Sequence, residues 1–110
     1  MEKITVEIPA NKKYLKTVRL MTASVASAMN FDIEKIEDLR VLVSEAVNYK
    51  KKGSLINIDF LIEDDKLTII VKGVDRQIDE EFAQMRKIIF EELCDFVSID
   101  KDTIRLEKKV

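Results

Sequence analysis

The chain is 110 residues long and carries 19 Lys and Arg against 21 Asp and Glu, a formal net charge of −2; that length reads as one domain, 1–110, with a core of its own. With no His, imidazole acid–base catalysis, His-based triads and His-ligated metal sites are excluded, and two isolated glycines, Gly53 and Gly73, cannot build a Gly-rich phosphate cradle. The slightly acidic balance argues against nucleic acid as a partner, because such binders carry a basic stripe.

Ile4, Val6 and Ile8 alternate with Thr5 and Glu7, the pattern of a half-buried strand, and Pro9 stops it. This first segment lacks the apolar core of a signal peptide, and no stretch approaches ~18 uninterrupted apolar residues, so a cytoplasmic protein with no membrane span is expected. From Ala10 to about Met29 the pattern is helical. Leu15, Val18, Thr22, Val25 and Met29 share a face that Leu20, Met21 and several alanines widen, which predicts burial on more than one side, with a second copy of the chain as a candidate neighbour. Asn30-Phe31-Asp32 ends one helix and starts the next, with Asp32 as N-cap and Phe31 stapled onto Ile36. Ile36, Leu39, Leu42, Val43 and Ala46 form the buried stripe of this second helix. Lys50, Lys51 and Lys52 read as closing it at its negative end, with Gly53 just beyond the cap.

Ile56, Ile58, Phe60 and Ile62, then Leu67, Ile69 and Val71, alternate on either side of Asp64-Asp65, which predicts a hairpin. Gly73 to Ile78 is irregular. A third helix is predicted from about Asp79 to Leu93, with Ile78, Phe82, Met85, Ile89 and Leu93 on its buried side. Glu91-Glu92 reads as exposed helix surface, and Cys94 as a small buried hydrophobe rather than a reactive thiol. Val97 and Ile99 make a strand, Lys101-Asp102 a turn, and Ile104 and Leu106 the last strand, before a basic end, Lys108-Lys109-Val110, expected to fray. The order βααββαββ predicts an α/β (α+β) two-layer sandwich, a mostly antiparallel mixed sheet with helices on one face.

That order, and three strings within it, resemble the anti-sigma-factor serine kinases, which have the GHKL or histidine-kinase-type ATPase fold. Leu42-Val43-Ser44-Glu45-Ala46-Val47-Asn48 is similar to the family's conserved helix, L-V-S-E-A-x-x-N. The strand from Asp64 to Lys72 is similar to the one that leads into its nucleotide site. Asp95-Phe96-Val97-Ser98-Ile99 and Thr103-Ile104-Arg105-Leu106 resemble its closing D-x-V-x-I and T-x-R-L strands. The resemblance implies a Glu that activates the substrate serine, an Asn four residues later on Mg²⁺, a D-x-G-x-G loop that reads adenine, and a Gly-rich lid over the phosphates. Carried over, Glu45 stands at the general-base position. The Mg²⁺ position falls on Tyr49, whose phenol is a poor ligand, and Asn48 is one residue, or ~100° of helix, off register. Gly73 replaces the adenine-reading Asp, while Asp75 and Gln77 replace both glycines of the loop and obstruct close backbone approach to a ligand. Gln84 to Leu93 runs straight into the third helix with no Gly-rich lid.

The resemblance therefore implies a GHKL-ATPase-like domain without the ATP lid, a pseudokinase in which Glu45 is a vestigial general base and no cofactor or metal is held. Such a degenerate member would regulate transcription through protein–protein binding, its partner a sigma factor or an anti-anti-sigma-like regulator. The expected binding surface is the apolar residues left outside the core, Leu20 and Met21 on the first helix and the region around Phe90. Two other readings stay open: an active protein serine kinase that uses ATP, Mg²⁺ and Glu45 as base, and a structural or oligomerisation domain such as a homodimer.

Overall fold

The computed structural model describes residues 1–110. It contains β1 (Glu2–Pro9), a 3₁₀ turn (Lys12–Tyr14), α1 (Leu15–Ala28), α2 (Ile33–Asn48), β2 (Leu55–Ile62), β3 (Lys66–Lys72), α3 (Glu80–Leu93), β4 (Phe96–Asp100) and β5 (Thr103–Lys109). The order matches the expected one. The sheet runs β1-β2-β3-β5-β4, and every neighbouring pair is antiparallel, so the sheet expected to be mostly antiparallel is wholly so. No helix is long and apolar enough to cross a membrane.

Register puts the alternating apolar residues on one face. Ile58 lies opposite Val71 and Phe60 opposite Ile69, and these in turn face Ile104 and Leu106 of β5. All six are buried, and Val18 and Val25 of α1, Leu39, Leu42 and Val43 of α2 and Phe90 of α3 join the same core. The helices therefore form one layer and the sheet the other, as alternating strands and amphipathic helices demand. Edge strands are blunted in two ways: β1 carries Glu2, Lys3, Glu7 and Pro9, and β4 is only 5 residues long.

Helix boundaries follow local chemistry. Asn11 caps the 3₁₀ turn by accepting from the Lys13 N–H at 3.0 Å, so α1 begins at Leu15 rather than at Ala10. Thr22 sits in the buried stripe because its hydroxyl donates to the Val18 carbonyl at 2.9 Å. Asn30 has φ 66°; its N–H donates to Ser27 O at 3.0 Å and that of Phe31 to Ala26 O at 3.1 Å. This is a Schellman stop, and buried Phe31 seals it. Asp32 then caps α2 by accepting from the Lys35 N–H at 2.9 Å, and Asp79 caps α3 through the Phe82 N–H at 3.0 Å.

Four expectations are corrected. The buried face of α3 carries Arg86 and Phe90, while Phe82 and Met85 are 51% and 53% exposed; the helix is turned from the expected face by somewhat less than one residue's ~100°. Phe90, expected on a binding surface, is 0% exposed core. Met21 packs partly buried against that core, leaving Leu20 as the exposed apolar residue of α1. The C-terminal lysines are pinned rather than frayed. Lys108 donates to the Leu93 carbonyl at 2.6 Å and pairs with Asp38 at 3.4 Å, and the Lys109 N–H donates to Asp95 at 2.7 Å. Cys94 is half-buried as expected. Its thiol donates to the Phe90 and Phe96 carbonyls at 2.9 and 3.2 Å, and burial pushes its pKa up.

The uncovered face of the sheet is charged. Glu107 accepts from Arg105 Nε at 3.0 Å and pairs with Lys66 at 3.2 Å, and these contacts, Arg105 first, hold its carboxyl below the ordinary 4.5. A carboxyl whose pKa is lowered by folding adds stability above its unfolded pKa and loses it as pH falls through the folded one. Urea midpoints measured downward from about pH 5 should therefore fall less steeply in Glu107→Gln than in the parent chain.

Candidate functional site

The strings that carry the resemblance meet where α2 ends. The helix stops at Asn48 with Tyr49 as its C-cap, about one turn earlier than the lysine triplet suggests. Gly53, with φ 84°, belongs to a separate turn. The reason is competition for the backbone of residues 49–51. The Arg76 N–H donates to Tyr49 O at 2.7 Å and the Lys51 N–H to Val74 O at 2.6 Å, and Lys50 forms a β-bridge with Asp75. The segment leaves the helix to pair with the loop after β3.

Lys50 is the centre of this junction. Its side chain is wholly buried; the ammonium donates to Gly73 O at 2.8 Å and Asp102 O at 3.1 Å. It also lies 2.9 Å from Asp75 Oδ1, an ion pair whose angle falls outside hydrogen-bond geometry. The same turn closes back on the loop, because Asp102 accepts from the Asp75 N–H through Oδ1 at 3.2 Å and from the Gly73 N–H through its carbonyl at 3.1 Å. One cation thus ties together the end of α2, the loop after β3 and the β4–β5 turn.

Tyr49 faces α3. The guanidiniums of Arg76 and Arg86 lie over its ring, 5.0 and 5.3 Å from the centroid. Arg86 is buried, and its Nη1 sits 3.7 Å from Asp75 Oδ2; its Nε and Nη1 have no hydrogen-bond acceptor. Attraction to Asp75 and the Tyr49 ring accounts for the turn of α3 away from its apolar stripe. Neither Lys50 nor Arg86 announced this in the sequence. Lys50 looked like one of three capping lysines and Arg86 like a solvated helix residue, and a three-segment junction leaves no local pattern.

The other singled-out positions separate. Glu45 is half-buried on α2 while Asn48 is exposed. Asn48 lines a cleft with Leu15 and Val18 of α1, ~100° around α2 from Tyr49. Gln77 is exposed in the loop. Gly73 lies so close to β2 that a Cβ there would meet Leu55 O at 3.1 Å, with the Lys50 side chain at 3.5 Å. The structure thus brings Tyr49, Asp75 and Gly73 together around Lys50 and leaves Asn48 and Gln77 outside.

Losing one partner of a buried ion pair leaves an uncompensated charge. Lys50→Met should therefore lower unfolding free energy by about 3 kcal/mol in urea titrations, whereas exposed Lys52→Met should stay within about 0.5 kcal/mol.

No family model matches the chain. Among curated proteins it is 34% identical over 87 residues to a serine-protein kinase RsbW of Listeria monocytogenes, covering 73% of this chain and 55% of the relative. It is 35% identical over 91 residues to a serine-protein kinase RsbW of Bacillus cereus, covering 77% of this chain and 56% of the relative. The chain thus spans about half the length of the curated relatives it matches. By likeness across most of its residues, the chain belongs to the family of the RsbW serine-protein kinases, the anti-sigma-factor kinases.

Proposed function

We propose that this chain is a degenerate member of its family, a regulator that binds a protein partner and holds no nucleotide. The observation that carries this reading is Tyr49, four residues after Glu45, clamped by Arg76 and Arg86 above a Lys50–Asp75 pair. In the family pattern this is where an amide would hold Mg²⁺; a phenol ring among cations offers the metal no anionic oxygen. The Asp75 carboxylate already faces Lys50 and Arg86, and that of Asp102 accepts from the Asp75 N–H.

The residues present do not fit the rest of an ATP site either. Position 73 has no side chain to meet the adenine amino group, and a carboxylate could be placed there only if Leu55 O, at 3.1 Å from the would-be Cβ, gave way. A Gly-rich lid would need free chain between the loop and α3, yet Asp79 caps α3 directly and the helix runs unbroken from Glu80 to Leu93. Without Mg²⁺ or nucleotide, Glu45 has no reaction to serve as base.

Partner binding is supported by the face that α3 turns outward. Phe82, Met85 and Ile88 are each more than half exposed. They recur at a spacing of three residues, and Glu80, Glu81, Glu91 and Glu92 lie in the first and last turns. Solitary exposed apolar residues are ordinary, but a row on one helix marks an interaction site. The acidic ends disfavour two antiparallel copies of α3 on one another, since Glu80 and Glu81 would meet the partner's Glu91 and Glu92. A sigma factor or an anti-anti-sigma regulator is the partner the family suggests.

Two experiments test this. Thermal melting with millimolar ATP and Mg²⁺ should leave Tm unchanged; a ligand at ~100 times its Kd would add roughly 2.7 kcal/mol, on the order of 10 °C for a chain of this size. A saturable upward shift, with phosphoryl transfer lost in Glu45→Gln, would establish the active-kinase alternative instead. Met85→Glu combined with Ile88→Glu should keep the parent Tm to within a few degrees. It should also lose the sigma factor or regulator that the parent chain co-purifies from its own cell.

A further inference from the structure

The cleft that Asn48 lines adjoins the Tyr49 junction, between the β1–α1 turn and the end of α2. Its volume is about 550 Å³, and 7 of its 14 lining residues are hydrophobic, which falls within the range of ~300–1,000 Å³ and the mixed lining of small-molecule sites. Lys12, Lys52 and Arg76 line it, and no Asp or Glu does. None of these three cations is in an ion pair, although the chain as a whole carries more acids than bases. Lys50 lends only its stem, because its ammonium is turned to Gly73 and Asp102.

The lining mixes two chemistries. Ile8, Tyr14 and Leu15, each half-buried, give it apolar surface over the core residues Val18, Val47 and Ile56. Asn48 is exposed at the opening, and Asn11 spends its oxygen on the Lys13 N–H, which leaves its amide hydrogens free. The negative pole of α2 opposes an anion here, but two carbonyls at that end are already engaged, Val47 O by the Lys50 N–H and Tyr49 O by the Arg76 N–H. Lys12, Lys52, the Arg76 guanidinium beside Tyr49 and two amides oppose what remains.

We propose that this cleft binds a small amphipathic anion, a single carboxylate or phosphate head on an apolar body. Lys12, Lys52 and Arg76 hold the head, and the body lies against Ile8, Tyr14 and Leu15. Each half of the ligand answers a feature that the cleft presents separately: unpaired positive charge at the rim and unfilled apolar surface within. The cleft adjoins the Tyr49 junction and shares Lys50 and Arg76 with it, but the ligand it would take follows from the lining and not from whether the junction holds a nucleotide.

Calorimetric titration of the full chain with octanoate, octyl phosphate, octanol and inorganic phosphate tests it. Octanoate or octyl phosphate should saturate at one per chain, at least tenfold tighter than octanol or inorganic phosphate, and the preference between the two names the head group. Lys12→Ala combined with Arg76→Ala should weaken that binding roughly tenfold, while Lys87→Ala on α3 leaves it unchanged. Asn48→Asp, which adds an anion at an exposed position, should weaken binding as well. Absence of saturable binding, equal binding of octanol, or undiminished binding by both cleft variants would overturn the proposal.

Discussion

An ammonium group with no exposed surface is the constraint on which the functional half of this molecule rests. Burying a lysine is costly unless its protons meet acceptors, and Lys50 meets two carbonyls and a carboxylate drawn from two distant parts of the chain. Those acceptors can converge only if α2 stops at Asn48 and the following residues pair with the loop after β3. From that stop comes the position of Tyr49, from the carboxylate comes the pull on Arg86, and from Arg86 comes the rotation of α3. A series of features that look unrelated along the chain are therefore one electrostatic arrangement.

The end of α2 also divides two environments that differ in kind. On the flank toward α3, cations, a carboxylate and an aromatic ring face one another. Toward α1, cations stand over apolar walls with nothing to neutralise them. Adjacent residues, Asn48 and Tyr49, point ~100° apart, as neighbours on a helix do, so one lines the cleft while the other meets Arg86 of α3. The one-residue offset between this chain and its family's pattern therefore moves the amide from one environment to the other.

Most of the fold was legible because it rests on short-range signals. Alternation marked the strands, the Asn30-Phe31-Asp32 stop worked through a left-handed Asn and an Asp cap, and Asp79 did the same for α3. What escaped was each feature decided by a distant partner. The α3 stripe of Phe82, Met85 and Ile89 obeys helical periodicity as well as the truly buried pair does, and Asp75, outside the helix, decides which face turns inward. Lys108 and Lys109 look like a solvated tail until Leu93 and Asp95 lie beside them. For the candidate site, the resemblance pointed to positions 49, 73, 75 and 77, but the packing of Tyr49, Gly73 and Asp75 around Lys50 could not be read from it.

The close approach of Gly73 to β2 bears on how this chain could change. A glycine that merely tolerates a substitution can be exchanged in one step, but here backbone atoms of the neighbouring strand and the stem of Lys50 occupy the space a side chain would need. Position 73 is coupled to positions 50 and 55, so the effect of a replacement depends on what those positions hold, and their contributions do not add. One residue's identity is thus a property of three, and a carboxylate introduced at that position would have to move the strand before it could serve the loop.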